Sequence, residues 1–251
     1  MQRYGSMKRV MLTVAYDGTN YHGWQIQSNG ETIEGVLNRC LSSLMGEKIE
    51  VSGASRTDSG VHAMGNLAVF DTESRIPADK ISYALNQRLP EDIRIQKSQE
   101  VAADFHPRFC ATRKTYEYRI YRAPFPMPLR RLYAHYTYVP LDIERMNAGA
   151  AYLVGEHDFK SFCSVGAQVE TTVRQVDEIH VEKQENEIVI RVAGRGFLYN
   201  MVRIIAGTLM EVGRGQLEPE DVQTILNQKD RQAAGPTAPA CGLTLVGYEF
   251  L

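Results

Sequence analysis

Cysteine is scarce in this chain, and its few copies lie far apart. The 251 residues include only Cys40, Cys110, Cys163 and Cys241, and these spacings fit neither a CxxC redox motif nor a zinc knuckle. A dense disulfide framework is excluded for the same reason. No His, Cys and carboxylate cluster has metal-ligand spacing either. We therefore expect four reduced, mostly buried thiols and no bound metal.

Long apolar segments are also missing. The longest stretch without an acidic or basic residue, residues 232–248, contains Gly235, Pro236 and Pro239 and is therefore unsuited to a membrane-spanning helix. The N-terminal residues carry early charges and have no apolar core before a small-residue cleavage site, so we expect no secretory signal. These absences predict a cytoplasmic protein without a membrane segment.

An overall positive charge is the third absence. The 28 Lys and Arg residues are outnumbered by 30 Asp and Glu residues, which argues against coating nucleic acid through net charge. Residues 104–131, however, hold seven basic residues against two acidic ones: Arg108, Arg113, Lys114, Arg119, Arg122, Arg130 and Arg131. We predict that this segment, Arg113 and Lys114 included, contacts the phosphates of a polyanion, although a solvated charged face fits the same pattern.

The pattern of apolar residues predicts two similar halves. In the first half it predicts strands at 10–16, 49–54, 67–70 and 93–101 and helices at 32–45 and 79–88. In the second half it predicts strands at 115–122, 173–182, 187–193 and 243–250, helices at 143–153 and 197–212, and a short extra helix at 219–227. Each half has the order β-α-β-β-α-β of ferredoxin-like folds. We therefore expect an α+β protein of two ferredoxin-like halves, residues 1–107 and 108–251, with a central cleft between antiparallel sheets.

The densest set of chemically capable residues lies in GASRTDSGVHAMG, residues 53–65, between two predicted strands. Arg56, Asp58 and His62 fall within seven positions, among glycines that permit a tight, rigid backbone. A carboxylate beside an arginine stays ionised, as a nucleophile requires. A plain hairpin, in which residues 58–60 supply only turn chemistry, fits the spacing as well.

A second candidate is the strand RKTYEYRIY, residues 113–121, where aromatic and charged residues alternate. Tyr116 and Tyr118 share one face, and Glu117 and Arg119 share the other. Aromatic rings beside cations are suited to stacking on flipped or single-stranded bases. Because a sheet must bury one face, we expect at least one of the two tyrosines to face the core.

A third candidate is AGRGFLYNMVRIIAG, residues 193–207, a predicted helix in which Arg203 is the only cation after Arg195. An arginine in so apolar a stretch either extends to water or pairs with a carboxylate. If it pairs, Asp58 is the natural partner. By contrast, His22, Trp24 and His157 lie in short loops after predicted elements, and we interpret them as packing or capping residues.

Six segments together resemble one known family. In chain order they are VAYDGTNYHGWQIQ, GASRTDSGVHAMGN, RKTYEYRIY, HDFKSFC, GRGFLYNMVRIIAGTL and GLTLVGYEF. Over residues 8–251 the chain resembles the bacterial tRNA pseudouridine synthase A family, and the RTD loop and the FLYNMVR helix are the specific motifs. The resemblance implies an isomerase that converts uridines 38, 39 and 40 of the tRNA anticodon stem-loop to pseudouridine. It also implies a homodimer that needs neither metal nor organic cofactor.

The resemblance also assigns roles to residues. The family's catalytic aspartate falls on Asp58, its base-stacking tyrosine on Tyr116, and the basic residue that pairs with the aspartate on Arg203. Its RNA-handling arginine falls on Arg56, and an apolar wall under the base falls on Leu245. Neither the residues nor the resemblance decides whether Asp58 attacks C1′, attacks C6 or removes the C2′ proton.

Two other functions remain open at this level. A catalytically inactive tRNA-binding or tRNA-folding module shares the basic segment but has no need of Asp58. A base-excising glycosidase needs a second carboxylate to activate water, and the sequence around Asp58 offers none.

Overall fold

The computed structural model describes residues 7–166 and 169–251. The chain forms two compact units: one extends to Ala111 and includes Leu245–Phe250, and the other comprises Thr112–Thr244 with Leu251. Both units combine helices with a mainly antiparallel sheet, which confirms the α+β class. The description of the units as ferredoxin-like halves stays a prediction.

Ten strands and five α-helices occur within the described residues. The strands are β1 Lys8–Tyr16, β2 Ser52–Gly53, β3 His62–Thr72, β4 Ile93–Val101, β5 Thr112–Arg122, β6 His135–Thr137, β7 Gly155–Asp158, β8 Val173–Gln184, β9 Glu187–Arg195 and β10 Leu243–Phe250. The helices are α1 Ile33–Met45, α2 Ile81–Asn86, α3 Ile143–Ala151, α4 Met201–Gly213 and α5 Asp221–Gln228. Short 3₁₀ turns join several of these elements.

In the first unit the strand order is β4-β1-β3, with β2 also paired to β3 and β10 next to β3. The pairings of β1 with β3 and β4, and of β2 with β3, are antiparallel. Helix α1 is preceded by Thr32, whose hydroxyl accepts from the Gly35 N–H, and is closed by Gly46 at φ 72°. Both ends follow the sequence pattern because the cap needs a side-chain acceptor and the end needs a left-handed residue.

In the second unit the strand order is β5-β9-β8-β7, with the short β6 running parallel to β5. Strands β8 and β9 form the predicted hairpin, in which Glu185 adopts a φ of 51°. Helix α4 is almost entirely buried, as its apolar composition predicts. Among the described residues, no helix is long and apolar enough to cross a membrane.

Several elements differ from the sequence prediction for local physical reasons. Only Ser52–Gly53 of the predicted strand 49–54 pairs as a strand, because side chains of α1 satisfy the preceding backbone: Ser42 Oγ accepts from the Ile49 N–H and Asn38 Oδ1 from the Val51 N–H. Helix α4 starts at Met201 rather than Phe197. The four cysteines are free thiols, of which Cys163 is buried and the other three are partly buried, in agreement with the expectation of reduced, mostly buried thiols.

Candidate active site

The loop 53–65 of the first unit, which we call the Asp58 loop, carries its functional side chains on a tight turn. The Val61 N–H donates to the Asp58 carbonyl at 3.1 Å, and Gly60 adopts a φ of 77°, as a turn of this kind requires. Residues 58–60 therefore form part of a turn. The turn leaves Asp58 half-buried and Arg56 exposed. Both side chains therefore remain accessible to a substrate.

Two glycines of the first unit let neighbouring segments pack directly against this loop. Gly23 has a φ of 81°, and a Cβ placed there would lie 2.6 Å from the Thr57 carbonyl oxygen. Gly18 is tighter still, since its Cβ would lie 2.0 Å from the Val61 carbonyl oxygen. The Trp24 N–H also donates to the Thr57 carbonyl at 3.0 Å, and the Trp24 ring is completely buried. The packing role predicted for Trp24 is confirmed.

A buried polar network holds the loop from its other side. Asn66 on β3 is completely buried; its amide donates to the Ser55 carbonyl at 3.0 Å and accepts from the Ser55 N–H at 3.3 Å. The Asn66 amide also donates to the Tyr16 hydroxyl at 3.2 Å, and that hydroxyl lies 2.7 Å from Thr57 Oγ1. Tyr248 on β10 places its hydroxyl 2.6 Å from Ser55 Oγ. Satisfied networks of this kind rigidify a site, because leaving any member unpaired in the core is costly.

Sequence reasoning missed this supporting set. Asn66 had a detectable signal: it is the one amide in the apolar run Gly65–Phe70, and a polar residue at a core position needs partners. Tyr16 and Tyr248 carried no comparable signal, because an aromatic residue in a strand is ordinary.

A second arginine of the first unit lies close to Arg56. Arg108 donates from Nε to the Gly53 carbonyl at 2.7 Å. Its pKa is lowered, mainly by burial and then by the nearby positive charge of Arg56. Within the part of the chain that the structure describes, Arg56 forms no hydrogen bond or ion pair. Two neighbouring guanidinium groups of which one is exposed and unpaired favour an anionic partner.

In the second unit, β5 carries the two candidate tyrosines, Tyr116 and Tyr118. Tyr118 is completely buried, and its hydroxyl donates to the Pro239 carbonyl at 2.9 Å. Burial raises the Tyr118 pKa well above its usual range. Tyr116 keeps 8% of its surface exposed and meets Phe197 edge-on, with ring centroids 5.2 Å apart. Both tyrosines are therefore buried, which confirms the expectation that at least one of them faces the core.

Arg203 lies on the first turn of α4 and is half-buried. Its Nε donates to the Ala238 carbonyl at 2.7 Å and its Nη1 donates to Asn200 Oδ1 at 2.8 Å. An arginine carries its five N–H donors in one plane, so these two hydrogen bonds help to fix the orientation of that plane.

Leu245 on β10 belongs to the first unit and is completely buried. The structure thus places Asp58, Arg56 and Leu245 in the first unit and Tyr116 and Arg203 in the second. In residues 7–166 and 169–251, no three His, Cys, Asp or Glu side chains come together as metal ligands do. That no metal or cofactor is needed stays a prediction.

Several arginines of the basic segment form ion pairs with carboxylates of β5, β8 and β9, which changes the interpretation of this segment. Ion pairs join Arg113 to Glu178 at 2.7 Å, Arg119 to Glu117 at 2.8 Å and to Glu187 at 3.1 Å, Arg130 to Glu187 at 3.1 Å, and Arg191 to Glu117 at 2.8 Å. Paired charges are less available to phosphate. The sequence count therefore overstated how much positive charge this segment offers to a polyanion.

Comparison with known proteins identifies the family. The model of the tRNA pseudouridine synthase family matches residues 12–110 and 150–250. A tRNA pseudouridine synthase A from Acetivibrio thermocellus is 48% identical over 240 residues, which cover 96% of this chain and 98% of the relative. One from Ruminiclostridium cellulolyticum is 50% identical over 242 residues, with the same shares covered. The chain belongs to the tRNA pseudouridine synthase family.

The activity follows from the family. The chain is an isomerase, a tRNA pseudouridine synthase, and its substrate is tRNA. The resemblance predicted from the six sequence motifs is confirmed. The roles of the individual site residues remain predictions.

Proposed function

We propose that Asp58 is the catalytic carboxylate and that its targets are uridines 38, 39 and 40 in the tRNA anticodon stem-loop. The observation that carries the proposal is the contrast within the Asp58 loop. Its backbone packs on Gly23 and on the buried Asn66 network, while the Asp58 side chain stays half-buried. A carboxylate on a backbone held in this way is preorganised for reaction at one place.

The reaction explains why these residue types are needed. The bond from C1′ to N1 breaks, the uracil turns within the site, and a bond from C1′ to C5 forms. The proton on C5 leaves and N1 gains one, so the isomerisation consumes no oxidant or reductant. The base must be flipped out of the stem-loop and water must be kept away. Asp58 supplies the carboxylate, through attack on C1′, attack on C6 or removal of the C2′ proton.

Two residues of the second unit complete the proposed machinery. Tyr116 stacks on the flipped uracil and takes the C5 proton, and its edge contact with Phe197 supports a fixed ring. Arg203 is the cation that keeps Asp58 ionised, and its contacts with Asn200 and Ala238 support a fixed guanidinium. The proposal includes the two ferredoxin-like halves that the sequence predicts.

The remaining parts of the proposal concern the substrate and the assembly. Arg56 contacts tRNA phosphate, as its exposure beside Arg108 favours. Leu245 supports the site from the core rather than from its surface, because its side chain is completely buried. The enzyme acts as a homodimer without metal or organic cofactor, as the resemblance implies.

The nature of the product tests the proposed reaction. Purified protein is incubated with unmodified tRNA, and the nucleosides and the released bases are analysed separately. We expect uridine to be lost and an isomer of equal mass to appear, without free uracil. Free uracil would identify a glycosidase, and bound but unchanged tRNA would identify an inactive binding or folding module.

A further inference from the structure

The start of α4 contains an asparagine in an unusual conformation. Asn200 immediately precedes the helix and adopts φ 59° and ψ 9°, in the left-handed region. Its carbonyl accepts from the Ile204 N–H at 2.9 Å, so its backbone begins the helical hydrogen bonding. Its side chain, however, makes no capping hydrogen bond to the helix. Asparagine is a frequent helix cap through its side chain, so the amide at this position serves another purpose.

The two ends of the Asn200 amide contact different residues. Oδ1 accepts from Arg203 Nη1 at 2.8 Å, and Nδ2 donates to Ser164 Oγ at 2.9 Å. Ser164 is itself tied to this turn, because its N–H donates to the Tyr199 carbonyl at 3.1 Å. An amide has an acceptor end and a donor end, so the Ser164 hydroxyl fixes which end faces the arginine.

Arg203 is held on a second side by residue 238. Its Nε donates to the Ala238 carbonyl at 2.7 Å, and the Ala238 N–H donates to the Arg203 carbonyl at 3.1 Å. Acceptors on Nε and Nη1 together define both the position and the tilt of the guanidinium plane. Asn200 therefore supplies one of the acceptors that orient the guanidinium.

We propose that Asn200 is a positioning residue for this reaction. The Asn200 amide orients the Arg203 guanidinium, and the Ser164 hydroxyl orients the Asn200 amide. This inference rests on the role of Arg203 in the proposed function. Asn200 acts through Arg203 and does not touch the uridine.

Asn200→Gly removes the amide and keeps a residue suited to the left-handed backbone. We expect the single-turnover rate at saturating tRNA to fall about 10- to 100-fold, the scale of a misplaced catalytic group, with little change in the Kd for tRNA. Glu185→Gly is the matched control, since Glu185 is also left-handed but lies in the hairpin turn of β8 and β9. Thermal unfolding of each variant separates lost stability from lost rate.

Two further variants keep the test decisive. Ser164→Ala leaves the helix start intact, and we expect a smaller fall of the same kind. In an Arg203→Lys background, which lacks Nη1, Asn200→Gly should lower the rate by less than about 2-fold, because interacting residues are not additive. The inference is overturned if Asn200→Gly lowers the rate by the same factor with Arg203 and with Lys at position 203. It is also overturned if Asn200→Gly reacts at the wild-type rate while Arg203→Lys is slow. A wild-type rate for Arg203→Lys alone instead overturns the proposed role of Arg203.

Discussion

The Asp58 loop of the first unit and strand β5 of the second both carry arginines close to carboxylates, but the fold uses these charges differently. In the loop, the buried Asn66 amide holds the backbone in place, and Arg56 stays exposed without an ion pair in the described residues. On β5, Arg119 forms ion pairs with both Glu117 and Glu187. Arg113 has its own carboxylate partner in Glu178.

The difference separates charges that build the fold from charges that meet the substrate. Ion pairs between neighbouring strands stabilise a sheet locally, and their charge is largely cancelled towards a distant polyanion. An exposed, unpaired arginine keeps its full attraction for phosphate. Counting charges along the sequence treats both kinds alike.

The largest expected effect comes from replacing Asp58, the proposed catalytic residue of the Asp58 loop. Asp58→Asn should abolish isomerisation, because an amide of nearly the same shape is neither a nucleophile nor a base at this position. Thermal stability and the Kd for tRNA should stay close to wild type. Asp79→Asn, on an exposed turn of the same unit, is the matched control and should turn over normally. Measurable turnover by Asp58→Asn above background would remove Asp58 from the mechanism.

The next effect distinguishes Tyr116 from Tyr118, both on β5. Tyr116→Phe keeps the ring and loses the hydroxyl, so it should bind tRNA normally and turn over at least about 100-fold more slowly, the scale for loss of a general base. Tyr118→Phe should instead lose about 1 kcal/mol of unfolding free energy with its hydrogen bond to Pro239, at an unchanged rate per folded molecule. Single-turnover kinetics and denaturant unfolding measure the two quantities. A wild-type rate for Tyr116→Phe would assign the proton to another group.

A smaller effect should follow from disturbing the support of the Asp58 loop. Gly23→Ala places a Cβ 2.6 Å from the Thr57 carbonyl oxygen, so the loop must shift, and we expect a rate loss of about 10-fold or more. Gly46→Ala is the control for backbone strain, because Gly46 is also left-handed but has open space around it. Gly46→Ala should cost about 1–2 kcal/mol of stability and leave the rate unchanged. If Gly23→Ala and Gly46→Ala react at the same rate, the position of the Asp58 loop does not affect catalysis.

The smallest effect tests the two classes of arginine. Arg56→Ala should reduce the slope of log affinity for tRNA against log salt by about 0.7–0.9, the contribution of one phosphate contact. Arg113→Ala should leave the slope nearly unchanged, because Glu178 already partners that charge. Titrations at several salt concentrations give both slopes. If Arg113→Ala flattens the salt dependence of tRNA affinity and Arg56→Ala does not, the basic segment contacts the phosphates, as the count of charges in the sequence predicts.

Long elements with clear periodicity could be predicted from the sequence, and short or locally overridden ones could not. Strand β4 and helix α1 match closely because strong apolar patterns and capping residues define them. Strands β6 and β7 have only three and four residues, too few for a period to register. The start of α4 was misplaced because the conformation of Asn200 interrupts an otherwise helical pattern.

For the site, the sequence predicted the chemically capable residues but little of what holds them. Asp58, Tyr116 and Arg203 have reactive or charged groups in unusual settings, and motif resemblance assigns their roles. The contacts of Asn66, Ser164 and Ala238 depend on tertiary geometry, and Ala238 acts through its backbone, which no residue pattern reveals.

The most direct test of the account is a position-by-position map of pseudouridine in unmodified tRNA, after incubation with wild-type protein and with Asp58→Asn in parallel. We predict new pseudouridine at positions 38, 39 and 40 with the wild type, at those that carry uridine, and none with Asp58→Asn. Pseudouridine elsewhere in the tRNA, or the same map from both proteins, would contradict the account.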